Sequence, residues 1–175
     1  ETGEFEIVIT EIGGTVGDIE SLPYIETVRQ LKWELGSSAL VIHLTLVPFL
    51  AAAGELKTKP TQHSVKSLLE VGVQPDILVC RTDRSLSNEL KSKVALFCNV
   101  NVNAVVESID ADSIYDVPLL MYKEQLDKVV LNKLKLSHQQ EPQLEQWKHF
   151  LGKLKNPIQE VNIGLVGKYI ELKDA

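Results

Sequence analysis

The sequence predicts an α/β fold, a mostly parallel sheet with helices on both faces. Three observations carry this. Strand-like and helix-like segments alternate along most of the chain. The strand-like segments are near-continuous apolar runs, as expected for strands covered on both sides. Glycine and proline punctuate the junctions, at Pro23, Gly36, Pro60 and Gly72.

Taken in order, Phe5-Glu6-Ile7-Val8-Ile9-Thr10 reads as a buried strand ending at Glu11, and a glycine loop follows. Ser21-Leu22-Pro23 opens a helix with proline in its first turn. Ile25, Val28, Leu31 and Leu35 give that helix an apolar stripe, and Gly36 ends it. Residues 39–46 read as the second strand. After a long loop, residues 60–71 read as a second helix, with Val65, Leu68 and Leu69 inward and Gly72 closing it. Residues 76–80 are the third strand, 87–97 the third helix and 104–108 the fourth strand.

The character changes after Pro118. Leu126, Val129, Val130 and Leu134 mark one helix, and residues 137–142 are polar. Leu144, Trp147, Leu151 and Leu154 mark a second amphipathic helix, ended by Asn156-Pro157. Val161-Asn162-Ile163-Gly164-Leu165-Val166-Gly167 reads as a fresh strand. The expected organisation is therefore a partial α/β domain at 1–136, a linker with a helix at 137–158, and the start of another domain at 159–175.

Composition bounds the function. With 44% hydrophobic and 24% charged residues, the 175-residue chain has the make-up of a globular domain. A net charge of −6 argues against nucleic acid bound through a basic surface. No signal peptide and no apolar run of membrane-spanning length is visible, so no membrane partner is expected. Cys80 and Cys98 form neither a disulfide framework nor a CxxC motif. They are expected as small buried side chains in a reducing, cytoplasmic setting.

In parallel sheets, ligands bind beyond the carboxyl ends of the strands. Glu11, the Lys57 loop, Arg81-Thr82-Asp83-Arg84 and Ile109-Asp110-Ala111 all follow strands directly, and they are expected to gather on one edge. Glu11 offers a hard oxygen ligand to Mg²⁺, although a strand-end carboxylate is equally an ordinary feature. Gly13, Gly14 and Gly17 permit close backbone approach. Asp18 and Glu20 offer acceptors for ribose hydroxyls or an exocyclic amine, or serve as acids at a helix start.

The segment Lys57-Thr58-Lys59-Pro60-Thr61-Gln62-His63-Ser64 concentrates cations in an acidic chain. Lys57 and Lys59 alternate, so an extended backbone points them the same way. Pro60 is expected to hold Lys59 extended and to open the helix. A phosphate there would meet two ammoniums and the helix N-terminus, with Thr61 and Gln62 as donors. With the glycine loop, this suggests a nucleoside triphosphate held with Mg²⁺. Lys93 and Asp110 are, by themselves, a surface lysine and a turn former. Asp110 is also placed to bind an adenine amine or a ribose. Gly164-Leu165-Val166-Gly167-Lys168-Tyr169 lacks the spacing and the Ser/Thr of a phosphate loop, and no such loop occurs in the 175 residues.

Glu11-Ile12-Gly13-Gly14-Thr15-Val16-Gly17-Asp18-Ile19-Glu20-Ser21-Leu22-Pro23 and Lys57-Thr58-Lys59-Pro60-Thr61-Gln62-His63-Ser64-Val65-Lys66 closely resemble CTP synthase. So do Gln74-Pro75-Asp76-Ile77-Leu78-Val79-Cys80-Arg81, Ala95-Leu96-Phe97-Cys98-Asn99-Val100, Asp112-Ser113-Ile114-Tyr115 and Val166-Gly167-Lys168-Tyr169-Ile170-Glu171-Leu172. The resemblance implies a P-loop-NTPase/dethiobiotin-synthetase-like fold and a ligase that aminates UTP to CTP. ATP phosphorylates O4 of the uracil ring, and ammonia derived from glutamine displaces that phosphate.

Position by position, the resemblance implies Glu11 as a Mg²⁺ ligand and Asp18, Ile19 and Glu20 as UTP/CTP contacts. Lys57, Thr58, Lys59, Pro60, Thr61 and Gln62 are implied as the triphosphate segment, with Lys57 positioning the UTP phosphate. Lys93 is a further UTP/CTP contact, and Ile109, Asp110 and Ala111 lie beside the adenine of ATP. It also implies GTP as an allosteric activator and a homotetramer with the pyrimidine site built across subunits.

Relative to that family, the chain is expected to hold the C-terminal part of the synthetase (amidoligase) domain, the linker, and the first strand of the glutaminase domain. The phosphate loop and a second Mg²⁺-binding acid would precede Glu1, so the chain by itself is expected to be inert. Two alternatives stand beside this. One is another ATP-dependent ligase of the dethiobiotin-synthetase-like class. The other is a non-catalytic nucleotide-binding or assembly module.

Overall fold

The structure is a computed structural model and describes residues 3–137 and 140–168. The chain divides into two compact units, residues 1–140 and 141–175, each described by itself.

In the first unit, three parallel strands make the sheet: β1 (Ile42–Leu46), β4 (Ile77–Thr82) and β5 (Val105–Ile109), in the order β1-β4-β5. The register pairs Leu44 with Val79 and Val79 with Val106. Between β1 and β4, the chain forms a short antiparallel hairpin, β2 (Phe49–Leu50) and β3 (Glu55–Leu56). Among the described residues, five α-helices belong to this unit: α1 (Leu22–Leu35), α2 (Lys59–Glu70), α3 (Asn88–Cys98), α4 (Val117–Lys123) and α5 (Leu126–Lys133).

Both sheet faces carry helices, as the apolar runs require. On one face Leu78, Cys80 and Val105 bury with Val65 of α2 and Val94, Ala95 and Cys98 of α3. On the other, Ile77, Val79 and Val106 pack against Met121 of α4 and against Leu126, Val129 and Val130 of α5. A third cluster joins Ile25 of α1 to Leu68 of α2 and Val73. Lys32 ties α1 to the sheet: its Nζ lies 2.6 Å from Asp76 Oδ2, which also accepts the Val41 N–H at 2.8 Å. Gly72 ends α2 at φ +81°, where an added Cβ would come within 2.8 Å of Arg29 Cδ.

Both cysteines are buried and free. Burial raises the Cys80 thiol. Burial, and then the neighbouring Cys80, push the Cys98 thiol up to about 11.

Two expected strands do not form. Residues 5–10 are exposed throughout, Ile9 at 91%, and pair with nothing among the described residues. A strand needs a neighbour's backbone, and an apolar run supplies only side chains. Over β1, one face of the sheet is correspondingly open, with Leu44 at 66% exposure. In the second unit, α6 (Glu145–Lys155) forms as expected, with Leu151 buried and Trp147 against Phe150 at 5.6 Å between ring centroids. Residues 161–167 are exposed and have no strand partner among the described residues, so the expected fresh strand is not formed there. Residues 169–172 of the closing motif lie outside the described residues.

Candidate nucleotide-binding site

The carboxyl ends of β1, β4 and β5 lie side by side. Val47 N–H donates to the Arg81 carbonyl at 2.8 Å, and Asp110 N–H to the Thr82 carbonyl at 2.9 Å. The Lys57 loop, residues 81–84 and residues 109–111 therefore gather on one edge. Asp110 Oδ1 is held by Arg81 Nε at 2.7 Å, so the expected adenine or ribose acceptor is already oriented by a guanidinium. Ile109 closes β5 and Ala111 is half-buried beside it.

The triphosphate segment differs locally from expectation. Thr58 is the N-cap, in the right-handed helical region at φ −87°, and Lys59 already belongs to α2 with Pro60 in its first turn. Lys57 and Lys59 thus stand on the end of a strand and the start of a helix, so period-two alternation does not align them. Thr61 is fully buried, and its Oγ1 donates to the Leu46 carbonyl at 3.0 Å beside Thr45 Oγ1 at 3.1 Å. Its hydroxyl is spent on anchoring α2, not free for a phosphate. Thr61 as a whole, its backbone included, is closed to a ligand, whereas Lys59 in the same turn is exposed. Gln62 Nε2 donates to Thr58 Oγ1 at 3.1 Å.

Sequence reasoning missed Glu55 and Glu107, and the contact that Arg84 makes. Glu55 is ion-paired with Lys57. Lys57, and to a lesser degree Lys93 on α3, hold the Glu55 carboxyl below the usual carboxylate range. This places Lys93 electrostatically beside the Lys57 loop. Arg84 stacks its guanidinium 3.3 Å over the Phe49 ring, clamping the hairpin to the loop after β4. Glu107, 8% exposed, accepts the Leu86 N–H at 2.8 Å and the Ser85 hydroxyl at 3.1 Å, which shapes the start of α3. The i, i+2 spacing of Glu55 and Lys57 was visible in the sequence. The partners of Glu107 come from distant positions and were not.

The glycine loop forms a separate group. Asp18 Oδ2 accepts the Thr15 N–H at 2.7 Å, and its carbonyl takes the Ser21 hydroxyl at 2.9 Å, just ahead of the 3₁₀ turn Ile19–Ser21. Val16 packs on the cluster containing Leu68, which holds this loop toward the far end of α2 from Lys57. Ile19 and Glu20 are exposed. Glu11 is exposed as well, with its Oε1 3.8 Å from a Cβ built on Gly13. Among the described residues, no three His, Cys, Asp or Glu side chains are grouped to hold a metal ion. Among the described residues, no helix is long and apolar enough to cross a membrane.

Residues 1–136 match the family model for the CTP synthase N-terminus. The chain is 71% identical to the CTP synthase of Cytophaga hutchinsonii, over 100% of this chain and 33% of that protein. It is 68% identical to the CTP synthase of Flavobacterium psychrophilum, with the same coverage. It is 57% identical to that of Porphyromonas gingivalis, over 100% of this chain and 32% of that protein. The chain thus spans about a third of the length of the relatives it matches. The matched domain is the N-terminal one, and with no strand at 161–167 nothing supports the expected opening of a glutaminase domain there.

Proposed function

Since this chain belongs to the CTP synthase family, matched over its N-terminal domain, we propose that the protein it is part of aminates UTP to CTP. In this reading, ATP phosphorylates the uracil O4, and ammonia drawn from glutamine displaces the phosphate. The observation that carries the local assignment is the gathered carboxyl edge of the sheet. There Lys57, Lys93 and the first turn of α2 present positive charge beside the Arg81–Asp110 pair.

Lys57 and Lys59 neutralise the triphosphate of UTP, or of the product CTP, at the N-terminus of α2, and Thr61 holds that terminus to β1. Thr58, Pro60 and Gln62 fix that turn, and Lys93 adds a second cation from α3. Ile109 and Ala111 form an apolar rest for adenine, with Asp110 accepting from its exocyclic amine. The chain's contribution to phosphoryl transfer is positioning and charge neutralisation.

Mg²⁺, with ATP, would supply charge neutralisation at the transferring phosphoryl group. Glu11 fits as one hard ligand, and its remaining donors would come from phosphates and from groups beyond those described. Asp18, Ile19 and Glu20 sit away from Lys57, which favours a pyrimidine site completed by a second copy, as in a homotetramer. GTP activation and a cytoplasmic setting complete the reading.

In the full-length protein, Lys57→Ala should abolish UTP-dependent CTP formation and leave glutamine hydrolysis intact. CTP formation at the wild-type rate in that variant would overturn the assignment.

A further inference from the structure

Glu55 sits on β3, two residues before Lys57, so the extended chain puts both side chains on the same side. Leu56 between them turns inward onto the main core. The result is the ion pair between the Glu55 carboxylate and the Lys57 ammonium. The backbone here is fixed independently of that pair. Lys57 N–H donates to the Pro48 carbonyl at 2.9 Å, and Arg84 covers Phe49 at 3.3 Å. The Glu55 side chain can therefore leave without the hairpin moving. The two side chains keep 58% and 37% of their surface exposed for Glu55 and Lys57, so water and salt screen the pair and its rupture is cheap.

We propose that Glu55 is a built-in competitor for the phosphate seat: its carboxylate occupies the Lys57 ammonium in the empty site, and an incoming phosphate oxygen must displace it. The proposal rests on the reading of Lys57 as a triphosphate ligand. Lys57, and less strongly Lys93, hold the Glu55 carboxyl below the usual carboxylate range, so the competitor is charged throughout the neutral range. Such a group lowers affinity for the free nucleotide while sparing the empty site two uncompensated cations. It also repels an anion still bound when the Lys57 contact loosens, which speeds release.

The test is a UTP titration of the full-length protein carrying Glu55→Gln, Glu55→Asp, Lys57→Ala or Lys57→Ala with Glu55→Gln. Glu55→Gln should bind UTP about two- to fivefold more tightly than wild type, in keeping with a screened surface pair. Glu55→Asp, which keeps the charge, should stay near wild type. The gain should vanish in the Lys57→Ala background. Unchanged or weaker binding by Glu55→Gln, with Lys57→Ala clearly weakened, overturns the competitor alone. Unchanged binding by Lys57→Ala overturns the triphosphate reading and the competitor with it.

Discussion

Thr61 Oγ1 donates to the Leu46 carbonyl across 3.0 Å, and this contact fixes the first turn of α2 against the last residue of β1. The helix terminus that carries Lys59 is thereby held to the sheet. Thr61→Val keeps the shape and removes the hydroxyl. It should cost about 1 to 3 kcal/mol of stability, the usual range for a buried polar group left without its partner. It should also weaken UTP binding, because α2 is no longer positioned. Chemical denaturation alongside a UTP titration checks this. Wild-type values for both would mean that the contact anchors nothing.

Lys91 bridges two carboxylates, with Nζ 3.0 Å from Glu124 Oε2 and 3.8 Å from Glu107 Oε2. Lys91→Met would leave the buried Glu107 without its cation and should destabilise by about 3 kcal/mol or more. Adding Glu107→Gln should restore much of that loss, since an amide oxygen still accepts the Leu86 N–H. Urea midpoints for the single and double variants decide it, and a double variant no more stable than Lys91→Met would contradict the pairing.

His43 faces α2 from β1, 9% exposed, with Nε2 hydrogen-bonded to Ser64 Oγ at 2.8 Å. Burial lowers its pKa from the ordinary 6.5, so the folded protein binds this proton less readily than the unfolded chain. The contribution to stability is therefore complete above pH 6.5 and is lost as the pH falls below it toward the folded value. Thermal midpoints of the wild type should fall between pH 7.5 and pH 5.5 more than those of His43→Gln. Parallel curves would rule out His43 as a source of that slope.

The strands β1, β4 and β5 were legible because each is a dense apolar run, and burial on both faces demands that composition. Helix boundaries were legible where a side chain or a special backbone sets them. Ser87 caps α3 by accepting the Leu90 N–H at 3.2 Å, and Gly36 closes α1 at φ +55°. The apolar runs at 5–10 and 161–167 misled because side-chain composition says nothing about a partner strand. The hairpin of β2 and β3 escaped because two-residue strands carry no measurable period.

For the site, the sequence placed Glu11, the Lys57 loop, residues 81–84 and residues 109–111 on one edge, and the register of β1, β4 and β5 brings together all of these but Glu11, whose expected strand at 5–10 does not form. It misjudged Thr61, whose hydroxyl points into the core. Burial of one face of a helix turn depends on how that helix docks, which a local motif does not specify. It also left unread the Arg81–Asp110 pair, whose two members come from different strands.

The central claim is that Lys57 grips the triphosphate of a pyrimidine nucleotide. Its most direct test is a calorimetric UTP titration of the full-length wild-type and Lys57→Ala proteins at one salt concentration. Loss of a charge-assisted contact worth about 1.5 to 3 kcal/mol should weaken binding by about ten- to 150-fold. Equal affinities for the two proteins would contradict the account.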